Sequence, residues 1–279
     1  MQRATFSPIV DLTPFSPNAR ALIDRAIEAA EGDARVVGLT LGGSTVAGGI
    51  DEFSDLDFVV VCRDEDHTAL LAEAQLFAAR LGSLVASFTG EHVGDPRLLI
   101  CLYGPPLLHV DLKFLALEDL KRRVEDGVVM WEREPGTVSG ATVGTVAAWP
   151  QPDLQWIEDR FWVWVHYAAT KLGRGELFEC LDAYNYFRAA VFGPLLAVEH
   201  DQRPQGVRRL ERYAGDALAE LEETVGDHTR DGCLRALRAS IRLYQRLRQN
   251  ADDQSLVRRA EAEAASLDYL EEIAASPTE

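Results

Sequence analysis

Positive charge is scarce in this chain, and so are cysteine and long apolar runs. Lys and Arg number 28 against 45 Asp and Glu, a formal net charge of -17 over 279 residues. Gripping a nucleic acid requires clustered cations to neutralise its phosphates, so this balance argues against stable DNA or RNA binding. An acidic surface suits a cationic small molecule, or it merely serves solubility. The four cysteines, Cys62, Cys101, Cys180 and Cys233, form no Cys-x-x-Cys and no Cys/His pairing with zinc spacing. They read as small buried hydrophobes of a reduced protein. No apolar run approaches the roughly twenty residues of a membrane span. The segment Met1–Pro8 also lacks the basic-then-apolar plan of a signal peptide, so a cytoplasmic protein is expected. Residues 42–49 hold several glycines but neither a Gly-x-Gly-x-x-Gly nor a P-loop pattern, which removes two common nucleotide sites.

The organisation that is present changes character half-way. Ser16-Pro17-Asn18 is a helix start, and Ala21, Leu22, Ala26, Ile27 and Ala30 mark an apolar stripe ending near Gly32. Val36 to Leu41 is short, apolar and closed by glycines, which predicts a buried strand. A second strand runs through Val61, a helix-period segment covers 64–80, and strands follow at 83–88, 98–103 and 108–115. The stretch 127–152 carries Gly127, Pro135, Gly136, Gly140, Gly144, Pro150 and Pro152 and reads as a linker or irregular excursion. Beyond it strand signals vanish, and helical periodicity appears at 153–172, 176–199, 205–225, 228–250 and 253–274. The expected fold is α+β, with a sheet-bearing domain over 1–145 and a helical bundle over 146–279.

Chemistry concentrates in the first half. Leu41-Gly42-Gly43-Ser44 is followed, after ten residues, by Asp55-Leu56-Asp57-Phe58. Glycines let the chain turn sharply and let backbone amides approach an anion closely, and Ser44 adds a hydroxyl donor. Residues two apart on a strand share a face, so Asp55 and Asp57 would present two carboxylates together while Leu56 and Phe58 enter the core. His109-Val110-Asp111-Leu112-Lys113-Phe114 repeats the alternation and supplies a third acid. Hard oxygen donors on one face invite magnesium. A structural alternative is that Asp55 or Asp111 caps a turn or pairs with Arg63 or Lys113.

This combination resembles the nucleotidyltransferase superfamily typified by DNA polymerase beta, and within it the antibiotic nucleotidyltransferases, over roughly residues 35–115. The resemblance implies a nucleotidyltransferase domain with a mixed sheet, followed by an α-helical bundle. It implies that Gly43 and Ser44 touch the outer phosphates of ATP or another nucleoside triphosphate. It also implies that Asp55, Asp57 and Asp111 ligate Mg2+. Asp111 or, second in rank, Glu176 would act as general base. The segment Lys171-Leu172-Gly173-Arg174-Gly175-Glu176-Leu177 resembles the turn between the first two bundle helices of that family. There Lys171 and Arg174 either meet the triphosphate or stabilise a helix C-terminus.

In the second half the aromatic run Trp156, Phe161, Trp162, Trp164 and Tyr167 is expected mostly in the core. Tyr184, Asn185 and Tyr186 are candidate acceptor contacts, and Glu179 and Asp182 are expected to form a solvated acidic face, the alternative being that they bind substrate amines. The implied reaction moves a nucleoside monophosphate, AMP from ATP, onto a hydroxyl of a small cationic acceptor such as an aminoglycoside-like antibiotic or a lincosamide. The alternatives are nucleotidylation of a protein or RNA partner, as in toxin-antitoxin relatives, and nucleotide binding without catalysis. No membrane partner is expected, and the protein would act as a monomer or homodimer.

Overall fold

In the computed structural model, which describes residues 11–250 and 255–276, Ser16 caps the first helix with its side chain. Its hydroxyl accepts a hydrogen bond from Ala19 N at 3.2 Å, Pro17 takes the first turn, and helix α1 runs Pro17–Glu31. The expectation for Met1–Pro8 and the expected helix start at 253 lie outside the described residues. The chain divides into two compact units, Met1–Ala148 and Trp149–Glu279.

The first unit is built on six strands: β1 (Val36–Leu41), β2 (Leu56–Cys62), β3 (Leu84–Gly90), β4 (Asp95–Tyr103), β5 (Leu108–Ala116) and β6 (Val128–Glu132). Their spatial order is β3-β4-β5-β2-β1-β6. β2 and β5 run parallel and every other neighbouring pair runs antiparallel, so the sheet is mixed, as expected. One face is fully apolar: Leu39, Leu41, Phe58, Val60, Leu112 and Phe114 pack with Leu22, Ile23 and Ala26 of α1. The other face is divided. Val61 and Leu115, near the carboxyl ends of β2 and β5, join Val138 in a small apolar cluster. Asp57 and Asp111 occupy the same face nearer the amino ends of those two strands.

Three expectations for this unit are corrected. β2 begins at Leu56, so Asp55 precedes the strand. The helical segment 64–80 is broken into 3-10 turns and two short helices, α3 (His67–Ala72) and α4 (Ala74–Ala78), which part at Glu73. Glu73 there holds Arg35 at 2.9 Å. The stretch taken as a linker supplies β6 and a short helix, α5 (Thr137–Ala141). β6 pairs with β1, and Arg133 at its end anchors it by donating to the carbonyl oxygens of Val36 at 2.9 Å and Asp33 at 2.8 Å. Gly38 is required opposite: a β-carbon there would overlap the Val138 methyl group.

The second unit is helical: α6 (Leu154–Gly173), α7 (Leu177–Phe187), α8 (Gly193–Glu199), α9 (Leu210–Tyr213), α10 (Ala217–Glu222), α11 (Arg230–Asn250) and α12 (Ala260–Ala275). Phe161, Trp162, Tyr184, Phe187, Phe192 and Tyr244 fill its centre. The continuous helix expected at 176–199 is interrupted by a π-helical stretch, Arg188–Phe192. Pro194 explains it, because its ring nitrogen cannot donate to the carbonyl four residues back. The segment 205–225 holds only α9 and α10, with Gly206 at φ 58° and Gly215 at φ 53° breaking the run. A buried carboxylate ties the bundle together: Glu158, 0% exposed, accepts from Tyr244 Oη at 2.6 Å, Arg248 Nη1 at 3.0 Å and Arg259 N at 2.9 Å. Burial pushes the Glu158 pKa up, but these donors outweigh it and hold the group ionised.

Candidate active site

Because β1 and β2 are antiparallel, the end of β1 arrives beside the start of β2, with Leu41 opposite Phe58. The glycine turn therefore lands on Asp57. Gly42 N donates to Asp57 O at 2.8 Å. Gly43 follows at φ 60°, ψ -130°, a conformation that disfavours any side chain. A β-carbon on Gly43 would overlap Asp57 Oδ2 and lie 2.8 Å from Asp57 Cγ, so the carboxylate rests directly against the glycine. Ser44 then opens the short helix α2 (Ser44–Ala47). Ser44 is only 5% exposed, and its Oγ is buried without a hydrogen-bond partner. Leaving a buried hydroxyl unsatisfied costs about 1–3 kcal/mol.

The parallel pairing of β2 with β5 places Asp57 directly across from Asp111. Asp111 Oδ1 lies 3.0 Å from His109 Nε2, its neighbour on the same strand face. Burial raises the Asp111 pKa; His109 pulls it down and the like charge of Asp55 pushes it further up. Asp55 is thus close enough to be felt, and all three acids are half-buried. The two cations weighed as structural partners are engaged elsewhere. Lys113 Nζ binds Asp95 Oδ2 at 2.7 Å, and Arg63 Nε binds Asp66 Oδ2 at 2.7 Å. Asp95 is a residue that sequence reasoning missed, since only the register of β4 on β5 brings it to Lys113.

Among the described residues, no three His, Cys, Asp or Glu side chains close into a metal cage. The acids form an open pair, Asp57 and Asp111, with Asp55 alongside. That donor set fits magnesium, which is commonly held by one or two carboxylates and completed by water and substrate phosphate oxygens. The unsatisfied Ser44 hydroxyl fits the phosphate side of the same ligand.

No protein-family model and no curated protein matches the chain. Among solved structures it is similar to an aminoglycoside 6-adenyltransferase from Bacillus subtilis, at 14% identity and a TM-score of 0.42, covering 94% of this chain and 99% of that one. It is also similar to a CdnE cyclic dinucleotide synthase from Elizabethkingia meningoseptica, solved with GTP and Apcpp. There the identity is 12% and the TM-score 0.32, over 94% of this chain and 96% of the other.

In the second unit, Lys171, Arg174 and Glu176 come together with one another. Lys171 Nζ lies 2.6 Å from Glu176 Oε2, and Arg174 Nη1 lies 3.8 Å from Glu176 Oε1. The Lys171 hydrogen bond holds the Glu176 pKa below the usual carboxylate range, whereas burial moves Asp111 the other way. Tyr184 is wholly buried and cannot meet an acceptor, which corrects that expectation; Asn185 and Tyr186 are exposed. The aromatic run splits: Phe161 and Trp162 are core, while Trp156 and Tyr167 reach the surface. Trp164, half-buried, stands edge-on to Trp156 and to Tyr186 at centroid distances of 5.6 and 5.1 Å. Glu179 is exposed and accepts from Tyr167 Oη at 2.7 Å.

Proposed function

We propose that this chain is a magnesium-dependent nucleotidyltransferase that moves AMP from ATP onto a hydroxyl of a small cationic acceptor of the aminoglycoside kind. The observation that carries this reading is one contact: the Asp57 carboxylate lies against Gly43, beside a buried Ser44 hydroxyl that lacks a partner. A carboxylate so close to an anion-binding turn would repel a lone phosphate; a phosphate that arrives with a divalent cation suits both halves of the site.

Ser44 Oγ and the amides of the turn donate to the outer phosphate oxygens. Asp57, Asp111 and Asp55 are the residues that would hold magnesium, which when bound neutralises triphosphate charge and fixes its orientation. Asp111 accepts the proton of the acceptor hydroxyl. The hydroxyl oxygen bonds to the α-phosphorus as the bond to the bridging oxygen breaks, and pyrophosphate leaves with the electron pair. The net charge of -17 supports a cationic acceptor.

The test is to incubate the protein with α-labelled ATP, magnesium and a panel of aminoglycosides and lincosamides, beside Asp57→Asn. Compound-dependent pyrophosphate release that the variant abolishes is expected. Release with no compound overturns the acceptor assignment, and label on a polypeptide or RNA replaces it. ATP binding indifferent to magnesium and to Asp57→Asn would make the chain a nucleotide-binding protein instead.

A further inference from the structure

Phe53 stands almost fully in solvent, 86% exposed, two residues before Asp55. Single exposed apolar side chains are common on protein surfaces. Phe53 differs in the turn that carries it. Asp51 Oδ1 accepts from Phe53 N at 3.0 Å and from Ser54 Oγ at 3.1 Å. Ser54 Oγ accepts from Asp51 N at 2.9 Å, and Ser54 N donates to Asp51 O at 3.2 Å. Four hydrogen bonds within four residues fix the turn that displays the ring. On its other side the loop joins α2 through Gly48 and Gly49, at φ 75° and 89°.

The position of this residue along the chain matters as well. Two residues of extended chain span at most about 7 Å, which bounds the distance from the Phe53 backbone to that of Asp55. Along 42–57, the stretch that contains the glycine turn and two of the acids, Phe53 is the single aromatic residue. A nucleoside triphosphate whose outer phosphates meet the turn at Gly43 and Ser44 extends its nucleoside end away from them. An apolar ring kept in water loses unfavourable exposure when a flat ligand covers it.

We propose that Phe53 is the stacking platform for the nucleobase. The proposal rests on the nucleotidyl-transfer reading and adds the residue that positions the base. Stacking on an aromatic ring tolerates any base, because every base offers a π-face. The site therefore binds ATP and GTP with similar affinity unless other groups read the base edge.

Calorimetric titration separates the base from the phosphates. Wild type, Phe53→Ala and Phe53→Trp are each titrated with ATP and with inorganic tripolyphosphate, in magnesium and without acceptor. Phe53→Ala is expected to weaken ATP binding about tenfold, the usual weight of one stacked base, while leaving tripolyphosphate binding and the melting temperature unchanged. Phe53→Trp is expected to restore ATP binding. Equal weakening of both ligands or unchanged ATP binding overturns the proposal. If wild type binds both ligands and Asp57→Asn abolishes turnover while Phe53→Ala does nothing, only the role of Phe53 fails. If wild type binds neither, the transfer reading fails as well.

Discussion

Gly43→Ala probes the turn and the acid in one substitution. At φ 60° and ψ -130° an alanine carries backbone strain on the order of 1–3 kcal/mol. The new methyl carbon also meets Asp57: it would lie 2.8 Å from Cγ, where carbon atoms normally rest at about 3.5–4.0 Å. Relieving that overlap moves the carboxylate by about 1 Å, and a displacement of that size at a reacting centre lowers the rate on the order of 100-fold. Two neighbouring glycines separate the effects. Gly42→Ala has Asp57 O at 3.7 Å as its nearest contact, an ordinary packing distance. Gly48→Ala, at φ 75° with nothing within 4 Å, suffers strain alone. Scanning calorimetry and pyrophosphate release on the three variants should show Gly42→Ala close to wild type and Gly48→Ala a few degrees less stable with its rate retained. Gly43→Ala should lose both stability and rate. A Gly43→Ala enzyme as fast as Gly48→Ala would refute the claim that the Asp57 carboxylate depends on the glycine surface.

Ser44→Ala removes a buried hydroxyl that bonds to nothing, so without nucleotide the melting temperature should hold or rise, while ATP affinity measured by calorimetry falls about five- to tenfold. A clear loss of stability would mean the hydroxyl already has a partner. Asp33 is held near pKa 2, against an ordinary 3.8, by its hydrogen bond to Arg35 and by the charges of Arg35 and Arg80. A lowered folded pKa stabilises above the unfolded value and fades as pH falls toward 2. Asp33→Asn should therefore lose about 2 kcal/mol in urea unfolding at pH 7 and about 1 kcal/mol or less at pH 2.5; a pH-independent difference contradicts this. Glu158→Ala strands Arg248, only 3% exposed, and should cost about 3–5 kcal/mol by chemical denaturation. A loss below about 1 kcal/mol would show that Glu263, whose Oε2 lies 2.9 Å from Arg248 Nη1, satisfies Arg248 alone.

The legible features of this sequence were those with local causes. Ser16-Pro17 announced α1, and the run Val36–Leu41 matched β1 end to end, because caps and glycine stops act within a few residues. Asp57 and Asp111 could be placed on one strand face each by alternation, yet no sequence rule says that β2 and β5 are neighbours in register. The partners of Lys113 and Arg63 were unreadable for the same reason. β6 was hidden by its surroundings: Val128-Val129-Met130-Trp131 has strong strand formers, but glycines and prolines on both sides diluted the signal. Pro194 did signal a break in its helix, and the strong apolar periodicity around it obscured that. The burial of Tyr184 was legible but missed: Cys180, Tyr184 and Phe187 share one helical face, from which Asn185 and Tyr186 point away.

Parallel neighbours impose a long return journey on the backbone: the polypeptide leaves at Cys62 and re-enters at Leu108. Lengthening that excursion at a solvent-facing bend such as Glu91–Gly94 leaves the opposition of the two carboxylates untouched. Adding one residue inside either paired strand instead would swing its acid to the oily side occupied by Phe58 and Leu112. A reporter peptide can therefore be grafted at the bend, whereas β2 and β5 tolerate replacement only at constant length.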